Sequence, residues 1–143
     1  MQKPPPGVFT GYASVFGIPD LQADIITPGA FQKAVTAFKA GRRTPRLLWQ
    51  HDAARPIGRI LALAEDPRGL KITAQLALDA PGAADAYALL KAGALDGLSV
   101  GFRPLKTQPD PARRLRLIRE AELWEVSLVT FAANPEARVS AVV

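Results

Sequence analysis

The sequence predicts a mainly β fold of the α+β class: an antiparallel, barrel-like sheet flanked by two helices. Three observations lead there. Short to medium strand patterns separated by turn residues run along most of the chain. Two stretches only repeat apolar residues at helical spacing. Those two do not alternate regularly with the strands, as a parallel doubly wound sheet requires.

The elements follow in order. Lys3-Pro4-Pro5-Pro6 reads as extended, so residues 1–6 form a lead-in. Val8 to Phe16, rich in aromatic and β-branched residues, reads as a strand that Gly17-Ile18-Pro19-Asp20 breaks. Thr27-Pro28 is a helix start, with Thr as N-cap and Pro at the first helical position. Phe31, Ala34, Val35 and Phe38 then share one helical face, a stripe suited to core packing, and Gly41 ends the helix. Arg46 to His51 reads as a short strand with Leu47, Trp49 and His51 on one side, and a turn-like Ala53-Ala54-Arg55-Pro56 follows. Ile57 to Glu65 is the next strand. Asp66-Pro67-Arg68-Gly69 turns it into Leu70, Ile72, Ala74, Leu76 and Leu78, an alternation that signals a hairpin. Asp79 and Pro81 open the second helix, Ala83, Ala86, Tyr87 and Leu90 give its apolar face, and Gly93 closes it. Gly97 to Lys106 returns to strand, residues 107–112 form a loop rich in turn formers, and Arg114 to Ala132 holds one or two strands.

At 143 residues, one domain spanning 1–143 is the simplest expectation. With 48% hydrophobic and 22% charged residues the composition is that of an ordinary soluble globular protein. No apolar run approaches the roughly 20 residues that span a bilayer, and the first residues lack the apolar core of a signal peptide. No membrane partner and an intracellular setting are therefore expected. The absence of cysteine excludes disulfides, thiolate catalysis and thiolate metal sites. One histidine disfavours zinc, an all-carboxylate site stays open, and no nucleotide, haem or metal motif calls for a cofactor. The net charge of +5 is dispersed apart from short clusters, which suits solubility better than nucleic-acid binding. Arg42-Arg43 and Arg113-Arg114-Leu115-Arg116 would be the contacts for a nucleic acid, but no aromatic stacking stripe lies between them.

Candidate chemistry centres on Ser99 in Leu98-Ser99-Val100-Gly101-Phe102 and on the sole histidine, His51. A serine nucleophile usually needs an imidazole to take its proton, and here one imidazole is available. Ser99 lies opposite the apolar face of its strand, and Gly97 and Gly101 leave room for a substrate backbone. Glu125 inserts a carboxylate into the apolar run Leu123 to Phe131. It faces solvent, faces a polar cavity, or requires a partner such as His51. Ser127 shares its face, and Asp52 and Glu122 are the substitutes for a third, acidic role.

Several motifs in one order then point to a family. Gly11-Tyr12-Ala13 with Phe16-Gly17, Asp24 with Pro28-Gly29-Ala30-Phe31, and Trp49-Gln50-His51-Asp52 with Pro56-Ile57-Gly58 open the series. Leu98-Ser99-Val100-Gly101-Phe102, Glu125-Val126-Ser127-Leu128-Val129 and Ala133-Asn134-Pro135-Glu136-Ala137 continue it. Together, over about Val8 to Val139, the chain resembles the prohead (procapsid) maturation proteases of tailed phages, including the forms found in gene transfer agents.

The resemblance implies a β-barrel with surrounding helices similar to the herpesvirus assemblin proteases. It also implies serine endopeptidase activity, with His51, Ser99 and Glu125 as the catalytic set and Glu125 the least direct transfer. The oxyanion donors stay open, an amide near Gly101 and a loop arginine being two candidates. The implied partners are the major capsid protein, its scaffolding segment and the protease itself, with a homodimer by analogy. The implied setting is the immature capsid in the bacterial host cytoplasm. Many relatives carry a tail removed in maturation, so the chain is expected to be a compact member or a trimmed one. A catalytically inactive capsid-assembly module is the competing expectation.

Overall fold

The hairpin read from the sequence is present. In a computed structural model describing residues 3–143, strand β4 (Asp52–Glu65) pairs antiparallel with β5 (Gly69–Leu76). Asp66 closes the turn: its backbone N–H donates to the Gly69 carbonyl and its carboxylate accepts from the Arg68 and Gly69 amides. Leu70, Ile72, Ala74 and Leu76 are all buried, as the alternation requires. On its other edge β5 pairs with β1 (Val8–Val15), and β1 pairs with β8 (Val139–Val142).

The other half of the sheet is organised by β7 (Leu115–Val129). Along one edge it pairs antiparallel with β6 (Gly97–Asp110). The other edge is shared by two short parallel partners, β2 (Asp24–Ile26) near its start and β3 (Arg46–Trp49) near its end. Strand β3 hydrogen-bonds onward to β4, giving the order β2-β7-β3-β4-β5-β1-β8 with β6 attached to β7. The mainly β fold with two helices is as expected. The sheet, however, is mixed, because β7 runs parallel to β2 and β3, and it does not close on itself.

Helices α1 (Gln32–Lys39) and α2 (Pro81–Lys91) pack on this sheet, α1 against β4 and β7, α2 against β4 and β5. The apolar stripes do what their spacing implies. Phe31 and Val35 are buried with Ala34 and Phe38 partly so, and Ala83, Ala86 and Leu90 are buried on α2. Phe31 meets Phe102 edge-on, with ring centroids 6.3 Å apart. Gly41 sits at φ +71° and ends α1 in a Schellman motif, the Arg42 amide donating to the Ala37 carbonyl and the Gly41 amide to that of Phe38.

Four local expectations need correcting. Helix α1 does not start at Thr27-Pro28. Gly29 adopts φ +90°, outside the helical region, and the Thr27 hydroxyl donates to the Ile118 carbonyl instead of capping. The Phe31 amide at the start of α1 donates to the Glu65 carboxylate, supplied from β4. Strand β3 stops at Trp49, and β4 begins at Asp52, so Ala53-Ala54-Arg55-Pro56 is strand. The 107–112 loop is shorter than its composition suggests, since pairing continues to Asp110 opposite Leu115. Prolines 104 and 109 are tolerated because the outer edge of β6 has, among the described residues, no partner strand beyond a bridge at Gly97. Of the expected lead-in, Met1 and Gln2 lie outside the described residues, and 3–5 have no regular structure.

Candidate active site

Strand β7 carries the centre of the site and its two neighbours supply the rest. Opposite β6, the register sets Ser99 against Ser127 and Gly101 against Glu125. The next pair is Phe102 with Leu123, which leaves Trp124 unpaired in a bulge. That extra residue resets the alternation. Leu123, Val126 and Leu128 all reach the core, while Glu125 and Ser127 share the opposite face and Trp124 is exposed.

His51 arrives from the other side. Trp49 pairs with Asp52, so Gln50 and His51 are the two central residues of the β3–β4 turn, with φ of 51° and 61°. Both positive angles match a type I′ hairpin turn, normally the place of Asn and Gly. Left-handed backbone costs an ordinary residue roughly 1–2 kcal/mol, and neighbouring bonds offset it. The Gln50 amide donates to the Leu128 carbonyl at 2.9 Å, and the Gln50 side chain exchanges two hydrogen bonds with Thr130. The His51 amide donates to Ser127 Oγ at 3.0 Å.

The side chains then meet. His51 Nδ1 lies 2.5 Å from Glu125 Oε1, and the Ser127 hydroxyl donates to Glu125 Oε2 at 2.5 Å. Ser99 is buried and, with His51, lines a cleft of about 330 Å³. Gly101, Asp24, Arg116 and Asn134 line the same cleft. A carboxylate bonded to one nitrogen of an imidazole that lines a cleft together with a serine can hold the ring as a general base.

The family model described as caudovirus prohead serine protease (Peptidase_S78) matches residues 4–143. The chain belongs to this family. It is 37% identical over 137 residues to the prohead protease of Enterobacteria phage HK97, covering 94% of this chain and 60% of that one. It is 32% identical over 117 residues to the prohead protease of Escherichia phage T5, covering 82% of this chain and 54% of the relative. A capsid polyprotein of Pseudomonas phage PAJU2 is 31% identical over 142 residues, covering 94% of this chain and 20% of the polyprotein. The chain thus spans about 60% of the HK97 relative's length and less of the other two. Among solved structures it is similar to varicella-zoster virus protease, with TM-score 0.47 and 14% identity over 81% of this chain and 56% of that one.

In this chain the two substitute carboxylates are occupied elsewhere. Glu122 bridges Arg43 and Arg103, and Asp52 accepts the Ala54 amide beside Arg55. The two strand glycines make room for the sheet itself: a Cβ on Gly97 would press on the Val129 carbonyl, and one on Gly101 would meet the Glu125 side chain. The basic cluster at 113–116 is partly neutralised, Arg113 by Asp110 and Arg116 by Asp24.

The Asp24–Arg116 pair was not foreseen as part of the site. Arg116 Nε and Nη2 bind the two Asp24 oxygens at 2.8 and 3.0 Å, with Asp24 buried and Arg116 half exposed at the cleft wall. Those hydrogen bonds to Asp24 push the guanidinium further up, with the Asp24 and Asp20 charges adding and desolvation opposing. The available signal was a charge, Asp24, immediately before the apolar pair Ile25-Ile26.

Proposed function

We propose that this chain is a serine endopeptidase domain, folded as one unit over residues 1–143, that cleaves capsid-assembly proteins during prohead maturation. Support comes chiefly from the 2.5 Å contact between His51 Nδ1 and Glu125 Oε1 beside a cleft that both His51 and Ser99 line. A carboxylate oxygen accepts, so in this reading Nδ1 carries the proton and donates to Glu125, and the Nε2 lone pair is left for the Ser99 hydroxyl.

In the first step Ser99 Oγ attacks the scissile carbonyl carbon while His51 Nε2 takes its proton. Glu125 orients the ring and stabilises the imidazolium. The C–N bond then breaks as the imidazolium returns the proton to the leaving amine, giving an ester at Ser99. Water, deprotonated by His51, attacks that ester, and the departing Ser99 oxygen recovers its proton. The substrates in this reading are the scaffolding segment of the major capsid protein, any separate scaffold, and the protease itself. A second copy is also its dimer partner. The place of action is the interior of the immature capsid in the host cytoplasm, where containment replaces control by a cofactor.

The test is mass spectrometry of capsid protein co-expressed with wild type and with Ser99→Ala. Wild type should truncate the capsid protein at a defined bond, and Ser99→Ala should leave it intact. Equal processing by both would overturn the assignment of Ser99. Fluorophosphonate labelling at Ser99 separates the enzyme from a non-catalytic assembly module, which would bind capsid protein without being labelled.

A further inference from the structure

Two serines face each other across the β6–β7 ladder, and their surroundings differ. Ser99 lines the cleft. Ser127 is fully buried, does not line it, and makes two hydrogen bonds through one oxygen. We infer that Ser127 is a positioning residue, which joins the His51 turn to the Glu125 carboxylate and holds the two in a single orientation. The inference rests on the Ser99–His51–Glu125 reading and adds a fourth member to it.

Donor and acceptor roles follow from valence. A backbone amide can only donate, so at the His51 N–H the Ser127 oxygen is the acceptor. Its single proton is then free for Glu125 Oε2, which must accept. With Oε2 held by Ser127, the carboxylate is turned so that Oε1 faces the imidazole, and His51 Nδ1 lies against it. Ser127 therefore sets which carboxylate oxygen meets the ring. It also ties down the amide of a residue held at φ 61°, a conformation that persists only where its surroundings enforce it. Ser127 cannot itself be the nucleophile, because its proton is committed and its oxygen is closed off from solvent.

The experiment uses purified protein and a peptide spanning the bond cut in co-expressed capsid protein. Ser127→Ala should fold, lower kcat about 10- to 100-fold through misplacement of the base, and leave KM within about twofold. Ser127→Thr retains the hydroxyl and should recover activity to within about fivefold of wild type. His51 is the chain's only histidine, so a low-field NMR signal from its Nδ1 proton should be assignable without ambiguity. That signal should persist in Ser99→Ala and Ser127→Thr, move or broaden in Ser127→Ala, and vanish in Glu125→Gln. If Ser127→Ala does not fold, Ser127→Cys fills the site with a slightly larger, weakly donating group and is expected to show the same loss of kcat and signal. Full activity of Ser99→Ala would sink the triad and this role together. An inactive Ser99→Ala beside a Ser127→Ala (or Ser127→Cys) enzyme with unchanged kcat and an unmoved proton signal overturns the role of Ser127 alone.

Discussion

The Glu125 carboxylate occupies the space into which any side chain at position 101 would grow. A Cβ built on Gly101 falls against Glu125 Oε1 and within 2.8 Å of Cγ and 2.9 Å of Cδ. Gly101 adopts no positive φ, so the requirement for glycine is spatial and not conformational. Gly101→Ala should therefore fold, at a cost of about 1–3 kcal/mol for the overpacked contact. The displaced carboxylate would release His51, and cleavage should fall by about 100-fold or more. Thermal melting and peptide cleavage measured on the same preparation check both halves. A variant with normal cleavage would mean that the contact does not orient the base.

Buried Asp24 depends on Arg116 for its side-chain hydrogen bonds. Arg116→Ala leaves a desolvated carboxylate without that partner, a defect that reaches 3–5 kcal/mol when both charges are buried. The guanidinium here is half exposed and solvent-screened, so about 2–3 kcal/mol is the expected loss. Asp24→Ala combined with Arg116→Ala should be less destabilised than Arg116→Ala alone, since the stranded charge is gone. Denaturant unfolding of the four proteins in a double-mutant cycle measures this. Strict additivity would show that the pair is not coupled.

How legible this arrangement was depends on distance along the chain. The β4–β5 hairpin and the stripes on both helices could be read because each is a local repeat: Leu70 to Leu76 alternate, and Phe31 to Phe38 recur at helical spacing. Strands β2 and β8, of three and four residues, are too short to carry a period and exist through partners far away. Thr27-Pro28 looked like a helix cap because the carbonyl that claims Thr27 belongs to Ile118, 91 positions on. The His51 turn was hidden because Gln-His carries none of the Asn-Gly signal of a type I′ turn, and its left-handed backbone is enforced by β7. His51 and Glu125 were legible as candidates, but their contact bridges 74 positions and depends on a bulge at Trp124 that no pattern marks. Asp24 and Arg116, 92 positions apart, illustrate the same limit at the cleft wall.

Away from the cleft, Tyr12 of β1 donates from its hydroxyl to Asp66 Oδ2 at 2.5 Å, tying that strand to the β4–β5 turn. The bond perturbs both groups. It pushes the Tyr12 phenol above its ordinary 10.0, with desolvation and the Asp66 charge adding and Arg68 opposing. It holds the Asp66 carboxyl below its ordinary 3.8, helped by the Gly69 and Arg68 amides and by Lys71 against desolvation. A carboxyl lowered by folding contributes stability that is present above pH 3.8 and lost as pH falls through its lower folded value. A phenol raised by folding contributes stability that is present below pH 10.0 and lost as pH rises through its higher folded value. Tyr12→Phe keeps the ring that packs 5.1 Å from the Arg68 guanidinium and removes only the hydroxyl. Its alkaline loss of stability should accordingly be smaller than that of wild type. Its acid loss should be only partly flattened, because the turn amides still stabilise ionised Asp66 and Glu120, held low by Lys33, is untouched. Denaturant unfolding of both proteins across the pH range measures the difference. Curves that run parallel at both ends would show that the Tyr12–Asp66 bond contributes nothing to stability.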